Sequence, residues 1–186
     1  MVDFCLAVSD LDVQAAARRT LQASIAVSTQ DSGIGRSINH TDYAPLTLRP
    51  VSVSIETKTP DGGTQEGKAQ LAVWAATHFE RLRALQSFKR RRGRNMQEDG
   101  CFNNEVWDLD DEIIGMALPL LLISGSRWRL FFALDQRDTI DVLETITIGD
   151  TDTLLGCYKV VAALRELAMW SETTFKSWLM KDLLLS

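Results

Sequence analysis

Glu56 and Lys58 stand two residues apart in the run Val51-Ser52-Val53-Ser54-Ile55-Glu56-Thr57-Lys58. Side chains two apart on an extended strand point the same way, so the carboxylate and the ammonium share one face while Val51, Val53 and Ile55 turn to the core. An acid that can hold a hard divalent cation thus sits beside a cation that can steady a water or a phosphate oxygen. Those are the components of metal-assisted phosphodiester hydrolysis. The spacing alone also describes any solvated strand face, so its meaning depends on what surrounds it.

Other chemistry-bearing residues are few. Asp3, in Val2-Asp3-Phe4, is either a metal-binding acid or a residue that solvates a strand end. Gln70 and Trp74, four apart, share a helix face, which reads as a functional pair or as a flank amide beside a core aromatic. His40 and Asp42 fit a metal or catalytic pair or, more ordinarily, loop-shaping hydrogen bonds. Lys89, Arg90, Arg91, Arg92 and Arg94 make a dense basic block that suits phosphate contacts or a nuclear import signal, or simply a solvated loop. The acids Glu105, Asp108, Asp110, Asp111 and Glu112 follow, and the two blocks can pair with each other.

The elements that must carry these residues can be read from periodicity. A short strand is expected over residues 1–8, then a helix from Leu11 to about Leu21 with Asp10 as its N-cap. Residues 28–49 read as a long ordered loop. The strand 50–58 ends at the turn Pro60-Asp61-Gly62-Gly63. A helix follows from Thr64 to about Gln86 with Leu71, Trp74, Ala75, His78, Leu82 and Leu85 as its buried stripe. A charged insertion loop is expected at about 87–115. Leu118–Ser124 and Trp128–Leu134 read as a hairpin around Gly125-Ser126, with a third strand over Thr139–Ile148. The chain closes with a long helix whose Leu155, Val160, Leu164, Leu167, Trp170 and Trp178 would pack on the sheet. Strands alternating with helices argue for a single α/β domain with a mixed sheet covered by helices.

Composition narrows the possibilities. The 186 residues are 45% hydrophobic with five Trp, enough for one sizeable core. The longest apolar run, Met116–Ile123, is too short to span a bilayer, and Asp3 and Asp10 interrupt any secretory leader. An intracellular protein of the nucleus or cytoplasm, with no membrane contact, is the expectation. Cys5, Cys101 and Cys157 lack paired spacing, which fits reduced thiols. With only His40 and His78, a metal would be a hard cation on carboxylates. The net charge of −5 does not by itself mark a nucleic-acid binder.

Taken together, Val2-Asp3-Phe4, Ser37 to Tyr43, Pro50 to Lys58, Gln70 to Trp74, Arg81 to Leu85, Leu118 to Ile123, Trp128-Arg129-Leu130 and Ile148-Gly149-Asp150 with Trp170 and Trp178 resemble the fungal PD-(D/E)XK nuclease-like domain family, nearly end to end. The resemblance implies a restriction-endonuclease-like core, Mg²⁺ or Mn²⁺ as cofactor and DNA as the ancestral substrate. Carried over by position, Asp3 and Glu56 would bind the metal, Lys58 would attend the nucleophilic water and Gln70 would orient the site. The superfamily's further acid, from a helix before the Asp strand, has no counterpart, so an N-terminally incomplete or degenerate member is expected. Its uncovered edge would call for a second copy or a partner chain. The alternatives to a nuclease are an inactive nucleic-acid-binding or interaction module and a fungal specialised-metabolism enzyme reusing the fold.

Overall fold

The computed structural model describes residues 2–27, 35–60, 63–95 and 113–185. Strands β1 (Phe4–Ala7), β2 (Val51–Lys58), β3 (Leu118–Ser124), β4 (Arg127–Asp135) and β5 (Ile140–Asp150) form one sheet whose spatial order is the chain order. Among the described residues three long helices accompany them: α1 (Leu11–Val27), α2 (Thr64–Asn95) and α3 (Leu154–Trp170). Only β2 and β3 run parallel, because the long helix α2 lies between them and returns the chain to the same end; the other neighbours are antiparallel. The expected mixed sheet flanked by helices is the observed architecture.

Both faces of the sheet are covered. α3 lies over Val53, Ile55, Leu121 and Ile148, burying Val160 and Leu167. On the opposite face α1, α2 and the C-terminal segment enclose a larger core containing Leu71, Phe79, Leu85, Leu120, Leu122 and Phe175. This second face is the one that carries Ser52, Ser54 and Glu56, all of which are buried. The alternation read in β2 is therefore correct, but its polar face is no solvated surface. A central strand packed on both sides must pair its polar groups internally, and the two serines of β2 do so: Trp74 Nε1 donates to Ser54 Oγ at 3.0 Å, and the hydroxyls of Ser52 and Ser171 lie 2.8 Å apart.

Element ends differ from expectation where packing outweighs local signals. Asp10 does cap α1, its Oδ1 accepting from the N–H groups of Asp12 and Val13, but the helix continues to Val27 because Ser24 and Leu21 are buried against the core. The helix expected to stop near Gln86 runs to Asn95: Gln86, Ser87 and Phe88 are buried, and the Lys and Arg residues beyond are good helix formers. Residues 87–95 are thus helical rather than the start of an insertion loop, while residues 96–112, with Cys101 and the acidic block, lie outside the described residues. Of the expected loop, residues 28–34 are likewise outside them, and Ala44–Leu46 form one short 3₁₀ turn. Gly125, with φ of 57°, opens the two-residue turn of the β3–β4 hairpin, as a type II′ turn requires.

The last helix begins at Thr153, whose hydroxyl accepts from the Gly156 N–H. From Ser171 to Leu183 it continues through π-helical turns that carry Phe175, Leu179 and Leu183 into the larger core. Trp170 and Trp178 pack as expected, whereas Leu155 is 65% exposed and does not. No helix among the described residues is long and apolar enough to cross a membrane.

Candidate metal and phosphate site

At the C-terminal end of β2 the chain leaves the sheet centre, and here the charged pair is positioned. Glu56 is directly opposite Leu122 of β3, and Lys58 opposite Ser124. The Glu56 side chain is 4% exposed, and its Oε1 lies 3.1 Å from Lys58 Nζ. Its Oε2 is buried with no hydrogen-bond partner. An unsatisfied buried acceptor costs roughly 1–3 kcal/mol, and more when charged, so this oxygen calls for a ligand. Hydrogen bonding to Glu56 raises the Lys58 pKa above its ordinary value despite some desolvation, with Glu66 and Asp3 adding attraction, so the ammonium stays charged.

α2 closes over the pair through Gly67. A Cβ at that position would lie 2.7 Å from Leu122 Cδ1 and 3.2 Å from Lys58 Cγ, so any larger residue must push both side chains aside for the helix to rest on this end of β2. One residue earlier, Glu66 reaches Lys58 Nζ at 3.7 Å. The motif did not point to Glu66 or Gly67; the signal available was their place in the first turn of the next helix. Gln70 follows one turn further on, exposed and without a hydrogen bond among the described residues.

Asp3 precedes β1, where Phe4 is paired with Ile55. Its Oδ2 accepts from Thr57 N–H at 2.9 Å and Thr57 Oγ1 at 2.6 Å. These bonds, the hydroxyl's first, hold the Asp3 carboxyl below its usual range. Asp3 is thereby fixed to the residue between Glu56 and Lys58, and its Oδ1 accepts none of these bonds. A pair of carboxylates would suit a hard divalent cation that keeps several waters, but the Thr57 hydroxyl that Asp3 binds belongs to the strand face opposite Glu56 and Lys58. Among the described residues no three His, Cys, Asp or Glu side chains cluster as metal ligands.

The other singled-out residues fall elsewhere. Trp74 stands edge-on to His40, with ring centroids 4.1 Å apart, and His40 lies 4.8 Å from His78. Neither ring nitrogen of His40 has a partner. Burial, with Arg81 nearby, pushes the His40 pKa down to about 4, and burial pushes His78 to about 3. The loop-shaping expected of His40 and Asp42 is done by Asn39, which donates to Leu46 O at 2.6 Å and Arg49 O at 2.9 Å and accepts from Val51 N–H at 2.9 Å. An amide carries both donors and an acceptor, which a neutral imidazole or a carboxylate cannot match here.

The basic block is divided. Lys89 Nζ donates to the Met180 and Lys181 carbonyls, at 3.2 and 2.5 Å, and so secures the C-terminal helix end instead of facing solvent as a free cation. Arg91 and Arg92 are exposed; the side chain of Arg94 lies outside the described residues. Arg92 lines a groove of about 500 Å³ with Arg19, Gln22, Lys89 and Leu185. Gly67 and Arg92 are separated along α2 by about 37 Å at 1.5 Å per residue, so the block does not border Glu56.

A model of the PD-(D/E)XK nuclease superfamily matches residues 1–176. No curated protein and no solved structure matches the chain.

Proposed function

This chain belongs to the PD-(D/E)XK nuclease superfamily, and on that premise we propose that it hydrolyses DNA phosphodiester bonds with a divalent metal, Mg²⁺ or Mn²⁺. The observation that supports this most directly is the Glu56 carboxylate, buried with one oxygen on Lys58 and the other without a partner. A carboxylate in that condition is costly to the fold and useful to a hard cation. Asp3 and Glu56 would hold the metal. When bound, such an ion lowers the pKa of its water and neutralises charge on a phosphate.

Lys58 contributes a fixed positive charge. Its raised pKa makes it a hydrogen-bond donor to an attacking or phosphate oxygen and unsuits it as a general base. Gln70, exposed on α2 beyond Gly67, is free to hydrogen-bond substrate at the same end of β2. Arg91 and Arg92 would add phosphate contacts along a longer nucleic acid.

A second reading, a nucleic-acid-binding module without activity, is favoured by the want of any three-ligand cluster of acids among the described residues. Calorimetric titration with Mn²⁺ of the wild type and Glu56→Gln separates the two, followed by Mn²⁺-dependent cleavage assays on single- and double-stranded DNA. Saturable binding and cleavage, both lost in the isosteric variant, are expected. Absence of binding in both proteins refutes the enzymatic reading.

A further inference from the structure

Beyond Glu56 the same sheet face carries a second cationic group. Leu122 is opposite Glu56 on β3, and Arg129 is opposite Leu122 on β4. Directly paired residues share a face, so at a strand spacing of about 4.8 Å the Arg129 backbone lies roughly 10 Å from that of Glu56. In the cross-strand register Leu122, buried beneath Gly67, is the residue between the two.

The surroundings of Arg129 leave it unsatisfied. Among the described residues its one ion-pair partner is Glu144, with Nη1 to Oε1 at 3.9 Å, too long for a hydrogen bond. The Arg129 side chain is 25% exposed, and none of its five N–H donors has a hydrogen-bond partner among the described residues. Glu144 is itself occupied: Lys68 Nζ donates to its Oε2 at 2.6 Å, while the same ammonium lies 5.5 Å from the centre of the Phe131 ring. Lys68 follows Gly67 directly, so the helix that closes over Lys58 also pins Glu144. That contact holds the Glu144 carboxyl below its usual pKa and charged. Glu144 thus attracts Arg129 by charge without using its donors, and the planar fork is left to donate to a tetrahedral anion.

We propose that Arg129 is a phosphate-binding residue, taking a backbone phosphate of nucleic acid next to the one presented at Glu56 and Lys58, with Glu144 as its resting-state counter-ion. This rests on the nuclease reading for the location of the scissile bond, but not for the anion contact itself. The rival is a structural link in which Arg129 and Glu144 merely tie β4 to β5.

The test is equilibrium binding of a fluorescein-labelled DNA duplex by anisotropy across a salt series, without metal, for the wild type, Arg129→Met, Arg129→Lys and Glu144→Gln, with thermal midpoints alongside. Arg129→Met is expected to weaken binding by roughly tenfold and to reduce the slope of log K against log salt by about one. Arg129→Lys, which keeps the charge and protects against a folding artefact, should keep the slope but not the full affinity. Glu144→Gln should bind more tightly, since the anion competing for the guanidinium is gone. A structural link predicts that Arg129→Met and Glu144→Gln both lose thermal stability and leave slope and affinity unchanged, and that result overturns the proposal. Should Mn²⁺ fail to bind while the Arg129 slope effect appears, the nuclease reading falls and the phosphate contact stands. Mn²⁺ binding with no effect of Arg129→Met sinks the phosphate contact alone.

Discussion

Lowering the pH from about 7 to 5 should destabilise this protein steeply through His40 and His78. Both are held neutral by burial, with native pKa values near 4 and 3, against an unfolded value of 6.5. A depressed native pKa contributes stability that is present above the unfolded pKa and is lost as pH falls toward the native one. The window therefore opens at about pH 6.5 and extends to about pH 3–4. For one such histidine, linkage gives about 2 kcal/mol lost between pH 7 and pH 5, because the unfolded state takes up the proton and the native state does not. Two give at most about 4 kcal/mol, and the partial exposure of His40 reduces this to roughly 3. That is a large share of an ordinary 5–15 kcal/mol stability. Carboxylates with lowered pKa, such as Asp3, Asp135 and Glu144, act in the same sense but mostly below about pH 5, so the interval isolates the imidazoles. Urea unfolding at constant ionic strength, at pH 7, 6 and 5, measures the loss. A His40→Phe/His78→Leu variant should show a nearly flat profile across the same interval. A wild-type change below about 1 kcal/mol, or an undiminished slope in the double variant, refutes the assignment.

Three further outcomes follow from particular contacts. Gly67→Ala gains about 1 kcal/mol of helix propensity but must displace Leu122 Cδ1 and the Lys58 stem, an overpacking cost of roughly 1–3 kcal/mol; a net loss in urea unfolding with a larger fall in Mn²⁺ affinity is expected. Asn39→Ala removes three hydrogen bonds and strands the buried Val51 N–H, so stability should drop by about 3 kcal/mol, with hydrogen exchange at Val51 accelerating first. Lys89→Met leaves two carbonyls of the C-terminal helix end without their donor and should cost about 1 kcal/mol. Its salt dependence of DNA binding should match wild type, whereas Arg91→Ala/Arg92→Ala should lower the slope.

Much of the scaffold is legible in local pattern. Alternation in Val51–Lys58, the apolar runs around Gly125-Ser126 and the stripe from Leu71 to Leu85 all depend on neighbours a few residues away, and the corresponding β2, β3, β4 and α2 are present. The ends were less legible. Whether a helix stops at Gln86 or continues to Asn95 is decided by what Gln86, Ser87 and Phe88 touch, and those partners are distant in sequence.

The residue types alone determined the chemical possibilities: a carboxylate and an ammonium on one strand face, few histidines, hard-cation ligands, and the motifs that place the chain in its superfamily. The tertiary structure decided their state. It covered the polar face of β2 with α2 and left Glu56 Oε2 buried and unpartnered; it also tied Asp3 to Thr57 and gave Lys89 to the helix end. It also set Arg129 across one strand from Glu56, a proximity with no trace in the 72 positions between them. The physical reason is that burial, desolvation and cross-strand register are properties of neighbours in space. A sequence specifies those neighbours only through the whole fold.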